Sequence, residues 1–147
     1  MDVKFIDSRN RIQLSGTAML EMVIVLPLLL MVLFATIEFG VLFGKWQTLS
    51  NAAREGARTA VVFRRDCDVA AVTSEVKTRV QAYAAPMGIT LTDADITVTG
   101  VCGSSSTSST INVQIPYNFQ VLHNLAPSVS PTINLLGNSV MRNEGTG

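Results

Sequence analysis

A carboxylate at the mouth of a long apolar run is the side chain of this sequence best placed to do chemistry. Glu21 stands five residues beyond Gly16, where a polar, basic stretch gives way to the apolar segment Met22 to Ile37. An acidic side chain at the centre of a bilayer costs about 2.5–3.5 kcal/mol, and less near the end of a span, so an intramembrane carboxylate is a functional candidate by default. A plainer reading places Glu21 in the first turn of a helix, where its charge suits the helix dipole close to headgroups. The residues alone leave both readings open. Glu38 is a second carboxylate, near the other end of the span, where it can reach the interface at modest cost.

The other reactive side chains offer less. Cys67 and Cys102 are the two cysteines, too few for a metal cage and not in a Cys-x-x-Cys pair. A lone pair in a small domain on the far side of a membrane is a disulfide candidate, on grounds of compartment rather than spacing. Closing a loop of about 35 residues would contribute roughly 3–4 kcal/mol. His123, the single histidine, precedes Pro127 in an Asn-containing stretch and reads as a surface residue rather than a ligand. No Gly-rich phosphate loop, paired catalytic carboxylates or nucleophile elbow is present. An enzyme is therefore not expected and no cofactor or metal is implied, unless Glu75, Asp93 and Asp95 were to form an acidic cleft. Eleven Lys and Arg balance eleven Asp and Glu, so the chain lacks the cationic excess that steers proteins to nucleic acid.

Few elements are needed to position these groups. The hydrophobic excess is concentrated between Met19 and Gly44. As a helix, Met22 to Ile37 is about 24 Å long, short of a hydrocarbon core of about 30 Å; continued through Gly44 it reaches about 34 Å and spans with some tilt. Lys45 and Trp46 follow at once, a snorkelling cation and an indole of the kind a membrane boundary favours. Pro27 removes one backbone bond inside the span and permits a kink. A cleaved secretory signal fits poorly, because its apolar stretch runs about 7–15 residues and ends at small residues. Gly40-Val-Leu-Phe-Gly44 is a GxxxG motif that allows close approach of a second membrane helix. Lys4, Arg9 and Arg11 precede the span, offset by Asp2 and Asp7, while Lys45, Arg54, Arg58, Arg64 and Arg65 follow it. The positive-inside rule thus leans slightly toward an outside N-terminus.

Beyond the membrane boundary the pattern becomes that of a small soluble domain. Leu49, Ala52, Ala53, Gly56, Ala57 and Ala60 recur at three and four, a small-residue stripe on a continuing helix. Glu55 and Arg58 form a possible i,i+3 pair beside it. Asp68 to Ala85 predicts a second helix, with Val69, Val72, Val76, Val80 and Tyr83 on one face and Pro86-Met-Gly88 as its stop. The period then switches to two. Strands are expected at Ile96 to Val101, at Ile111 to Val121 with Pro116 marking an edge, a bulge or a break, and at about Ile133 to Met141. Gly103 to Thr110 reads as a flexible Ser-rich connection. The expected class is α+β: helices on a roughly three-stranded antiparallel sheet.

Ser15-Gly16-Thr17-Ala18-Met19-Leu20-Glu21 resembles the cleavage region of type IV prepilin-like proteins, in which a prepilin peptidase cuts after Gly and a Glu stands fifth in the mature chain. Ile37-Glu38-Phe39-Gly40 and Asn51-Ala-Ala-Arg54-Glu55-Gly56-Ala-Arg58 are similar to the signature of TadE-like pseudopilins, minor pilin-like components of the tight-adherence (Flp) pilus machinery. The tail Asn138 to Glu144 is similar to the way such proteins end, and Met22 departs from the aromatic that commonly follows the glutamate. The close resemblance covers about residues 14–62. It implies a leader over 1–16 cut between Gly16 and Thr17, a membrane helix over 17–44 and an extracytoplasmic pilin-like domain over 45–147. It also implies a cytoplasmic N-terminus in a bacterial inner membrane. The implied partners are prepilin peptidase, other pilins and pseudopilins, the inner-membrane pilus assembly platform and membrane lipid. Glu21 would neutralise the α-amine of Thr17, its own or a neighbouring subunit's, and so set register in assembly. The alternative is an unprocessed single-pass adaptor or sensor with an extracytoplasmic domain.

Overall fold

The computed structural model describes residues 8–62, 64–104, 106–125 and 132–144. The first seven residues, with Asp2, Lys4 and Asp7, and also Pro127 lie outside them. Helix α1 runs from Ser8 to Val61 and continues through Pro27. From Gly16 onward it is long and apolar enough to cross a membrane. The chain divides into two compact units, residues 1–38 and 39–147.

In the first unit the large apolar side chains from Met19 to Phe34 are exposed. They are the surface a lipid-facing helix presents.

The second unit holds the rest of α1, a second helix and a sheet. Leu49, Ala52, Ala53, Gly56, Ala57 and Ala60, the expected stripe of α1, are all buried. Helix α2 spans Val69–Ala84, its start capped by the Asp68 carboxylate, which accepts a hydrogen bond from the Ala70 amide at 2.9 Å. Its buried seam is Val72, Val76, Val80 and Ala84, a strict four-residue row. The expected flanking members Val69 and Tyr83 stay exposed, because a single i±4 row makes the whole contact. A 3-10 turn at Ala85–Met87, closed by Gly88 at φ +67°, ends the helix where Pro86 and Gly88 predicted a stop.

Strands β1 (Ile96–Thr99), β2 (Ser108–Asn118) and β3 (Thr132–Arg142) form an antiparallel sheet in the order β1-β2-β3. Ile96 pairs with Val113, and Gly137 with Val113 on the other side. The buried sheet residues Ile96, Ile111, Val113 and Leu135 complete one core with the helical stripes. The α+β architecture is the one the alternating periods predict.

Several boundaries differ from expectation, each for a local reason. β1 ends at Thr99 rather than Val101, since Gly100 (φ +79°) and Cys102 (φ +60°) turn the chain through left-handed conformations. β2 begins three residues earlier than expected, inside the Ser-rich stretch, because the buried Ser109 finds polar partners there. Pro116 is accommodated without a break. β1 covers β2 only from Thr110 to Val113, so one flank of β2 is an edge at Pro116. A short helix α3 (Gln120–Leu125), which includes the exposed His123, takes the place of the expected end of the strand.

Candidate functional site

Within the first unit, Gly16, Thr17 and Glu21 lie on α1. Four helical residues rise about 6 Å, so Thr17 and Glu21 share one face, one turn apart. Gly16, Thr17 and Glu21 are exposed, and a methyl group built on Gly16 would meet nothing within 4 Å. The junction is therefore open to an enzyme or to another subunit. Glu38, by contrast, is only 6% exposed.

The second unit contains Arg54, Glu55, Gly56 and Arg58, and each has a distinct setting. A Cβ on Gly56 would stand 2.6 Å from Val80 Cγ2 and 3.4 Å from Val76 Cγ1. Carbon atoms in contact sit about 3.5–4.0 Å apart, so this glycine lets α1 and α2 approach closely. Glu55 does not pair with Arg58. Its Oε1 accepts from Arg79 Nε at 3.1 Å and Nη2 at 3.0 Å, which ties α1 to α2. The long Arg79 side chain reaches over the groove that Gly56 keeps narrow, and the inter-helix partner wins over the intra-helix one. Arg54 Nη1 donates to Asn51 Oδ1 at 3.2 Å. Arg58 is exposed and lines an open cleft of about 880 Å³ with Thr59, Arg64, Ser74, Glu75 and Arg79. The motif thus joins the two helices of the domain, with Arg58 on their outer margin.

Gly40 and Gly44 lie on the same unit's first turns. Gly40 has open space where a side chain would be, and Gly44 meets only Met87 Cε at 4.0 Å. Lys45 Nζ lies 5.3 Å from the centre of the Tyr117 ring, a cation–π contact.

Glu75, Asp93 and Asp95 do not converge on a cleft. Glu75 pairs with Arg64 at 2.8 Å, and that hydrogen bond, aided by the guanidinium charge, holds its carboxyl below the usual carboxylate range. Asp93 accepts from Gln81 at 2.9 Å, and Asp95 accepts from the amide and hydroxyl of Thr92, both at 2.7 Å. Among the described residues no group of three His, Cys, Asp or Glu side chains is arranged to hold a metal.

Cys67 and Cys102 are joined by a disulfide, with Cα atoms 5.7 Å apart. The bridge ties the α1–α2 connection to the turn after β1. Beside it lies a polar knot that the sequence did not announce. The Ser109 hydroxyl is 2.7 Å from Asn143 Oδ1 and 3.1 Å from the Gly100 carbonyl, sharing its one proton between two acceptors. Asn143 Nδ2 donates to Gly100 O at 3.0 Å and to Thr107 Oγ1 at 2.9 Å. The Glu144 amide donates to Val61 O at 3.1 Å, which fastens the segment after β3 to the end of α1.

Residues 16–58 match the family model for TadE-like proteins, a segment that begins at Gly16 and ends at Arg58. No curated protein and no solved structure matches the chain. The matched segment contains Glu21, Glu38, Gly40, Gly44 and the whole of the Arg54–Arg58 motif. Over this segment the chain is similar to TadE-like proteins.

Proposed function

We propose that the chain is a minor pseudopilin of a tight-adherence (Flp) pilus or a related secretion apparatus, cut by prepilin peptidase after Gly16. It is anchored in the bacterial inner membrane by residues 17–44 and carries its sheet domain outside the cytoplasm. Its role is structural rather than enzymatic. Other pilins and pseudopilins and the inner-membrane assembly platform are its partners. The observation that carries the reading is the family match, which starts at the glycine of the junction and takes in Glu21 one turn beyond Thr17.

The physical logic is as follows. Cleavage removes the leader, with Arg9 and Arg11, and frees the α-amine of Thr17. In a low-dielectric helix bundle an ammonium and a carboxylate attract far more strongly than in water, and either one left alone is costly. Glu21 therefore favours one axial register of neighbouring subunits, in which each charge has a partner.

Glu21→Gln keeps the size of the side chain and removes its charge. The variant is expected to insert in the membrane in normal amounts and to assemble poorly. Normal assembly of the pilus by a strain carrying only Glu21→Gln would contradict the role.

A further inference from the structure

Phe39 opens the second, packed unit. From Thr17 to Glu38 the helix rises about 33 Å, enough for a hydrocarbon core of about 30 Å. From Phe39 to Lys45, at the start of the second unit, the helix rises about 9 Å. That is comparable to a headgroup layer, roughly 5–8 Å deep on each side. Side chains from beyond α1 are packed against this stretch. The Phe119 ring centre lies 6.1 Å from that of Phe39, and Tyr117 meets Phe119 edge-on at 5.3 Å. Tyr117 also underlies Lys45, and α3 starts at the residue after Phe119.

The chemistry of this end is uniform. From Tyr117 to Asn124 there is no Asp, Glu, Lys or Arg. Phe39, Phe43 and Trp46 recur at i, i+4 and i+7 on α1 and are 58%, 57% and 43% exposed. Three aromatic rings on one stripe, next to a lysine and a tyrosine, have the composition of a membrane interface belt. Lys45 lies over an aromatic ring of the domain, which couples the belt to the sheet.

We propose that this end of the sheet domain, formed by Tyr117, Phe119 and α3, is seated in the lipid headgroup layer, and that lipid covers the Phe39–Phe43–Trp46 stripe. The proposal rests on the proposed reading of residues 17–44 as the membrane helix.

The test uses the full-length protein in phosphatidylcholine vesicles, spin-labelled at single introduced cysteines without reductant, so that the Cys67–Cys102 bridge stays closed. His123→Cys, Asn124→Cys and Phe43→Cys probe the proposed contact. Leu28→Cys reports the span, and Ser106→Cys, at the opposite end of β2, reports water. Labels at 123, 124 and 43 are expected to be reached better by oxygen than by a water-soluble nickel chelate, and the label at 106 the reverse. If 123 and 124 behave like 106 while 28 is embedded, the proposal is overturned and the span stands. A label at 43 shielded from both reagents would show that protein covers the stripe, which also overturns it. A water-exposed label at 28 would remove the span and the proposal together.

Discussion

Gly137 of β3 lies directly against the backbone carbonyl of Leu49 in α1, so close that a Cβ at 137 would overlap the Leu49 oxygen and carbon. The helix rests on the sheet at this point through bare backbone. Gly56 plays the corresponding part between α1 and α2, but there the obstacle is a valine methyl at the end of a side chain.

That difference separates two alanine substitutions. Gly56→Ala forces Val80 aside at about 1–2 kcal/mol, and the helix-propensity gain of about 1 kcal/mol largely offsets it. Gly137→Ala pushes against backbone that cannot turn away and costs about 2–3 kcal/mol. Thermal melts of the full-length protein in detergent should show a clearly lower midpoint for Gly137→Ala and a small change for Gly56→Ala. Equal shifts would contradict the assignment of Gly137 as the tighter contact.

The helical part of this arrangement was legible in the sequence and the close approach of helix to sheet was not. The small-residue stripe from Leu49 to Ala60 announced a packed helix face by its spacing, and every member is buried. Alternation in Ile111, Val113 and Ile115 likewise announced a strand, but not its central place in the sheet. Gly137 gave no such signal, because a glycine in a strand reads equally as a weak position or a close contact until its neighbour is known. Glu55 was misassigned for a related reason. Sequence spacing shows partners on the same helix, and its actual partner, Arg79, comes from another. Ser109 read as loop because hydroxyls favour connections, but Asn143, 34 residues away, satisfies it inside the fold.

Removing the Asn143 side chain should expose how much that polar knot contributes. Asn143→Ala removes its bonds to Ser109, Gly100 and Thr107, leaving the Ser109 hydroxyl and the Gly100 carbonyl only their bond to each other, at a cost of about 1–3 kcal/mol. Ser109→Ala keeps the Asn143 Nδ2 bonds to Gly100 and Thr107 but takes from the buried Asn143 Oδ1 the hydroxyl that donates to it, so it should also be destabilising. A double-mutant cycle by denaturant unfolding is expected to show the two losses to be non-additive. Simple additivity would mean that the two side chains act separately.

The disulfide closes a loop of sequence separation 35 in the domain. Cys67→Ser with Cys102→Ser should lower stability by about 3–4 kcal/mol on the loop-closure estimate. Reductant added to the wild-type protein should produce the same shift and leave the double variant unaffected. A wild-type midpoint indifferent to reductant would contradict a bridge in the folded protein.

Acid should weaken the link between Arg64 and Glu75 in a defined direction. Glu75 in the folded protein titrates below the usual carboxylate range, because Arg64 hydrogen-bonds and attracts the charged form. Its contribution is therefore complete above the unfolded pKa and is lost as pH falls through the lower folded value. The side chain is more than half exposed, so the effect is at most about 0.5 kcal/mol after solvent screening. Wild type and Arg64→Ala should differ slightly in stability at pH 6 and converge as the pH is taken below about 3. A difference that grew with acid would reverse the sign and refute the pairing.

The most direct test of the account is the N-terminus of the protein recovered from membranes that contain prepilin peptidase. Sequencing or intact mass should show a chain starting at Thr17, and Gly16→Val should leave the leader in place. A wild-type chain that still begins at Met1, in cells whose other prepilins are processed, would contradict the pseudopilin reading and favour an unprocessed membrane adaptor.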